Sequence, residues 1–82
     1  MIKKTLTIQI PREVYEFVAA AAACPVGANI YASRGSTAVP CVSIMGVFSL
    51  DPSTPFTVTY PDVPETKEFE KYISQFEVKG DT

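Results

Sequence analysis

The 82-residue sequence contains no histidine and only two cysteines, and both shortages restrict its chemistry. Without histidine, no reaction step that uses an imidazole nitrogen as the nucleophile is open to the chain. Cys24 and Cys41 have neither a third thiol nor an imidazole beside them to complete a zinc site. We therefore expect two reduced thiols, as is usual inside cells, and neither a metal nor another cofactor.

Positive charge and long apolar runs are also scarce. The seven Lys and Arg residues are scattered, with Lys3 and Lys4 the only adjacent pair, and the formal net charge is −2. Nucleic-acid binding needs a concentrated basic surface, so we expect none. The longest apolar run, around Ala19–Cys24, is far too short to cross a membrane. Length and composition predict one globular domain over residues 1–82, located in the cytoplasm.

Four segments are predicted as β-strands. Residues Thr5–Ile10 alternate with a period of two, which places Leu6, Ile8 and Ile10 on one face of a half-buried strand. Phe56–Tyr60 alternates in the same way. Two shorter candidates, joined by a Gly-containing hairpin loop at Arg34-Gly35-Ser36, are Asn29–Ser33 and Thr37–Val39.

Two helices are predicted from an apolar repeat of 3.6 residues. The first is Arg12–Ala23 and the second is Pro64–Phe76, where Asp62 and Glu65 have the spacing of a capping box. The polar end, Gly80-Asp81-Thr82, is expected to fray. The apolar stripes are Val14, Phe17, Val18 and Ala21 in the first helix, and Phe69, Tyr72, Ile73 and Phe76 in the second.

The segment Ser43–Leu50 has the sequence SIMGVFSL. Ser43 is suited to cap a helix, because its hydroxyl can accept a hydrogen bond from the free N–H groups of the first turn. Gly46 lowers helix propensity, so packing against the rest of the chain must hold this turn. Helical periodicity turns Val47 and Leu50 toward the sheet and leaves three apolar side chains partly outward: Ile44, Met45 and Phe48.

This segment closely resembles, nearly residue for residue, the regulatory-serine region of HPr, the small phosphocarrier of the bacterial sugar phosphotransferase system. In that family a serine begins the short second helix and is followed by Ile-Met-Gly-Val. The stretch Glu16-Phe17-Val18 is similar to the family's first-helix pattern. The resemblance implies an α+β fold, an HPr-like open-faced β-sandwich in the order β-α-β-β-α-β-α. Its four-stranded antiparallel sheet would be covered on one face by helices.

The family's phosphoryl-accepting histidine is missing. The resemblance puts Ile10 at the position of that histidine and Arg12 at that of the arginine that steadies the phosphoryl group. An isoleucine side chain has no lone pair, so histidyl phosphotransfer is excluded. In this respect the chain resembles catabolite-repression HPr, a family member that also lacks the histidine. No base is paired with a nucleophile at a recognisable spacing, so we do not expect an enzyme.

Two functions are compatible with these observations. In the first, the chain is a bacterial regulatory protein, and phosphorylation of Ser43 changes what docks on Ile44, Met45 and Phe48, with Arg12 in the first turn of the first helix also contributing. The resemblance implies that its partner is an HPr-kinase-type enzyme or a transcription regulator. The alternative is a module that binds a partner, or a second copy in a homodimer, through the same side chains without phosphorylation.

Overall fold

A four-stranded antiparallel sheet forms the base of the computed structural model, which describes residues 1–78. The strands are Ile2–Leu6 (β1), Tyr31–Arg34 (β2), Thr37–Pro40 (β3) and Phe56–Tyr60 (β4). They lie in the order β1-β4-β2-β3, so the first and last strands along the chain are neighbours. A two-residue turn at Gly35-Ser36 joins β2 to β3, and Gly35 has a φ of 62°, a left-handed conformation that favours glycine.

The sheet buries one face and leaves the other to solvent, as the alternating sequence of β4 predicts. Phe56, Val58 and Tyr60 are buried, whereas Thr57 and Thr59 between them are partly exposed. Helices α1 (Pro11–Ala23), α2 (Ile44–Ser49) and α3 (Lys67–Ile73) lie on the buried face. The mixed α+β class and the open antiparallel sheet are therefore confirmed.

Helix α1 agrees closely with its prediction. Pro11 occupies the first helical position, where its missing N–H costs no hydrogen bond. The helix ends at Ala23, before Pro25, and its expected apolar stripe is buried: Val14, Phe17, Val18 and Ala21.

The last helical region is continuous but not uniformly α-helical. Short 3₁₀ turns, Pro64–Thr66 and Ser74–Phe76, flank α3. The capping box predicted for Asp62 and Glu65 is wrong, since the first turn has no side-chain cap and the Asp62 carboxylate instead lies 3.6 Å from the ammonium of Lys67. The apolar stripe is confirmed: Phe69, Ile73 and Phe76 are buried and Tyr72 is partly buried.

Two of the predicted strands are displaced along the sequence. The first strand is Ile2–Leu6 rather than Thr5–Ile10, because its pairing with β4 runs only from Ile2 to Leu6. Ile8 is nevertheless buried, whereas Ile10 is 48 % exposed at the start of α1, so its expected place on a half-buried strand face is wrong. The second strand begins at Tyr31 instead of Asn29, which belongs to a 3₁₀ turn, and it extends to Arg34.

Within the described residues, the longest helix is α1, and no helix has both the length and the apolar character needed to cross a membrane. The segment Gly80–Thr82, for which fraying is predicted, lies outside the described residues.

The two thiols have different environments, which leads to a first prediction. Cys41 is fully buried, and its burial raises the pKa of the thiol to about 12, whereas Cys24 is only partly buried. Because the thiolate is the reactive form, iodoacetamide at pH 8 should modify Cys24 rapidly and Cys41 only after denaturant is added. Mass spectrometry of the time course would measure both rates. A Cys24→Ser variant should remain unmodified under native conditions, and rapid modification of that variant would contradict the buried position of Cys41.

Candidate functional site

Ser43 is the N-cap of helix α2, as predicted. The Ser43 hydroxyl accepts a hydrogen bond from the backbone N–H of Gly46 at 3.1 Å. Gly46 also lets the helix lie close to β3, because an added Cβ there would be 3.0 Å from Ser43 Oγ and 3.1 Å from Val39 Cβ. An alanine there would therefore require Ser43 or Val39 to shift by a few tenths of an ångström.

The two faces of α2 are divided as the periodicity predicts. Val47 is fully buried and Leu50 is 4 % exposed, so both anchor the helix on the core. Met45 is 84 % exposed, and Ile44 and Phe48 each expose about a third of their surface. Three apolar side chains are thus held on the outside of a short, well-anchored helix.

Helix α2 runs alongside α1 in the opposite direction. At one end, Val42 lies beside Gly27, just after α1, where an added Cβ would be 3.6 Å from Val42 Cγ1. At the other end, the rings of Phe48 and Tyr15 pack edge to face with centroids 5.5 Å apart. The outward side of α2 is therefore continuous with the exposed side of α1.

Tyr15 is a member of this surface that the sequence did not indicate. Its side chain is 53 % exposed. The signal that could have identified it is an aromatic residue on the polar side of an amphipathic helix. Ile10, 48 % exposed, lies at the same end of α1. We call the following side chains the α1–α2 surface: Ile10, Tyr15, Ile44, Met45 and Phe48.

Arg12 is exposed in the first turn of α1, between Ile10 and Tyr15 in the sequence. It makes no ion pair with a carboxylate among residues 1–78. Arg12 therefore supplies an exposed positive charge at the end of α1 where Tyr15 and Phe48 meet.

A groove of about 350 Å³ adjoins Phe48 on this side of the molecule. Two hydrogen bonds between its walls fix the shape: the Ile8 N–H donates to Pro52 O at 2.8 Å, and Gln9 Nε2 donates to Ser53 O at 3.0 Å. Sequence patterns do not predict this groove, because Gln9 and Ser53 are 44 residues apart along the chain. The groove is lined by Ile8, Gln9, Pro11, Val14, Phe48, Asp51, Pro52 and Ser53.

Comparisons of the chain with protein-family models, with curated proteins and with solved structures gave no match. Within residues 1–78, no cluster of three or more His, Cys, Asp or Glu side chains is placed to hold a metal ion. The candidate site is therefore described by its geometry alone, as an exposed apolar surface with a groove at its edge.

The Ser43 cap gives a second prediction. Ser43→Ala removes the acceptor for the Gly46 N–H and should lower the free energy of unfolding by about 0.5–2 kcal/mol. Ser43→Asn keeps a side-chain oxygen that can cap the helix and serves as the matched control, with little expected change. Urea unfolding of both variants measures the difference. Equal stability of the alanine and asparagine variants would show that the cap contributes nothing.

Gly46 gives a third prediction, in which packing opposes helix propensity. Alanine at this position would favour an isolated helix by about 1 kcal/mol. Because its Cβ would press on Val39, Gly46→Ala should instead lower the free energy of unfolding by about 1–2 kcal/mol. Met45→Ala, on the exposed side of the same helix, is the control and should be nearly neutral. A stabilising Gly46→Ala substitution would mean that β3 and α2 are not in close contact.

Proposed function

We propose that this chain is an HPr-like, non-enzymatic regulatory domain that lacks the phosphoryl-accepting histidine and binds a protein partner through the α1–α2 surface. The observation that carries the proposal is a group of exposed apolar side chains on a helix whose other side is buried in the core. Val47 and Leu50 fix α2 on the core, while Met45 and its neighbours on the surface are left to solvent. Exposed apolar side chains grouped in this way are a common feature of protein interaction sites.

The size of the surface favours a transient partner. With their exposed fractions, the five side chains present on the order of 500 Å² of apolar area, the size of patch that is often functional on a monomer. A non-obligate interface of standard size buries about 800 Å² on each side, a little over half of it apolar, whereas an obligate homodimer buries more than about 1,000 Å² on each side and is more apolar. A partner that associates and dissociates is therefore favoured over a permanent homodimer.

The resemblance to HPr supports the same proposal. The match in Ser43–Leu50 falls on α2, and the helices and strands follow each other in the order that the resemblance implies. Ile10, at the position of the family's histidine, is exposed at the start of α1. By the resemblance, an exposed apolar side chain would stand where the family carries its phosphoryl group.

Phosphorylation of Ser43 is the regulatory part of the proposal. A phosphate on Ser43 Oγ would lie close to the Gly46 N–H, which already donates to this oxygen, so the modified helix need not unfold. The new charge would stand immediately before Ile44 and Met45 and would change the affinity of an apolar partner. An HPr-kinase-type enzyme would add the phosphate, and a transcription regulator is a partner of the expected kind. The alternative is binding, or self-association, without phosphorylation.

A fourth prediction tests the surface. Met45→Asp places a charge at its most exposed point and should abolish binding of any partner that depends on it, with an unchanged circular dichroism spectrum. Gln75→Asp, which adds the same charge to an exposed position outside the surface, is the matched control and should bind normally. Affinity capture with each variant, followed by titration of the captured protein, measures the effect. Partners held equally by both variants would rule out the α1–α2 surface.

The regulatory part has its own test. Treatment with HPr-type kinases and mass measurement should add one phosphate to the chain and none to Ser43→Ala. If several such kinases add no phosphate, only the alternative remains, in which the chain binds its partner without phosphorylation. In that case, analytical ultracentrifugation of the wild-type chain and Met45→Asp would show whether the partner is a second copy.

A further inference from the structure

The groove beside Phe48 has an apolar floor and a polar rim. Ile8 and Val14 are almost completely buried and Pro52 is buried, so together they form the floor. Phe48 belongs to both the groove and the α1–α2 surface, so a partner on that surface would reach the groove.

Asp51 is the one charged residue among those that line the groove. It has a φ of 54°, a left-handed conformation that few residues other than glycine adopt. The Ser53 hydroxyl donates to Asp51 Oδ1 at 2.7 Å, and Asp51 makes no ion pair with a described cation. The backbone and this hydrogen bond therefore hold a carboxylate at the rim of an apolar groove.

Neighbouring positive charges are directed elsewhere. Arg34 donates from a guanidinium nitrogen to the carbonyl oxygen of Leu50 at 3.3 Å, and it lines a separate, smaller groove with Thr37 and Ser49. Arg12 does not line the groove beside Phe48.

We propose that this groove receives a lysine or arginine side chain of the partner, with the aliphatic stem on the apolar floor and the cationic head at Asp51. The inference rests on the proposed function, because it names the side chain that anchors a partner bound at the α1–α2 surface. Long basic side chains combine an apolar stem with a charged end, and the groove offers the matching arrangement. The ring of Phe48 adds a further favourable contact for a cation.

The test is a selection of random twelve-residue peptides displayed on phage against the wild-type chain, Asp51→Asn and Met45→Asp. Asparagine tolerates the left-handed conformation, so Asp51→Asn removes the charge without a change in the turn. Glu68→Gln removes the same charge from the exposed side of α3 and is the matched control.

Peptides selected on the wild-type chain and rejected by Met45→Asp should share a lysine or arginine at one position. Their affinity should fall about two- to fivefold on Asp51→Asn, as expected for a partly exposed ion pair, and should not change on Glu68→Gln. Met45-dependent peptides without a basic residue, or with equal affinity for Asp51→Asn, would overturn this inference and leave the proposed function standing. If no selected peptide depends on Met45, both proposals fail.

Discussion

The anchoring of α2 on the core is the interaction on which the rest of the candidate site depends. Six residues are too few to form a stable helix alone, because nucleation costs more than so short a segment returns. The helix is stabilised instead by the burial of Val47 and Leu50 and by the hydrogen bond of the Ser43 cap. Because these inward side chains fix the rotation of the helix, Ile44, Met45 and Phe48 face outward.

The packing of α2 against α1 extends this local arrangement into a surface. The antiparallel course of the two helices brings Phe48 to Tyr15, and Val42 lies beside Gly27 at the opposite end. The turn that follows α2 then closes against the segment before α1 through the bond from Ile8 to Pro52. One short helix thus organises both an apolar surface and the groove at its edge.

The sequence contains no histidine. At the start of α1, Ile10 exposes an apolar side chain that cannot accept a phosphoryl group. In the function we propose, recognition takes the place of group transfer. The exposed apolar area of the α1–α2 surface is of the size found in non-obligate interfaces.

Much of this architecture could be predicted from local patterns. The apolar stripes of α1 and α3 and the alternation of β4 report burial directly, because each residue's environment repeats with the period of its own helix or strand. Strand bounds were less predictable. Leu6 and Ile8 are both buried, but only Leu6 belongs to β1, since pairing with β4 and not periodicity decides where the strand ends.

By itself, the sequence determined the α+β class, the absence of histidine chemistry and the side of α2 that faces out. These three properties follow from the composition and from the spacing of apolar residues within a few positions of each other. Only the tertiary structure brought Tyr15 to Phe48 and Asp51 to the rim of a groove with Ile8 and Val14. Such neighbours are far apart along the chain, and the packing of helices on the sheet is what places them together.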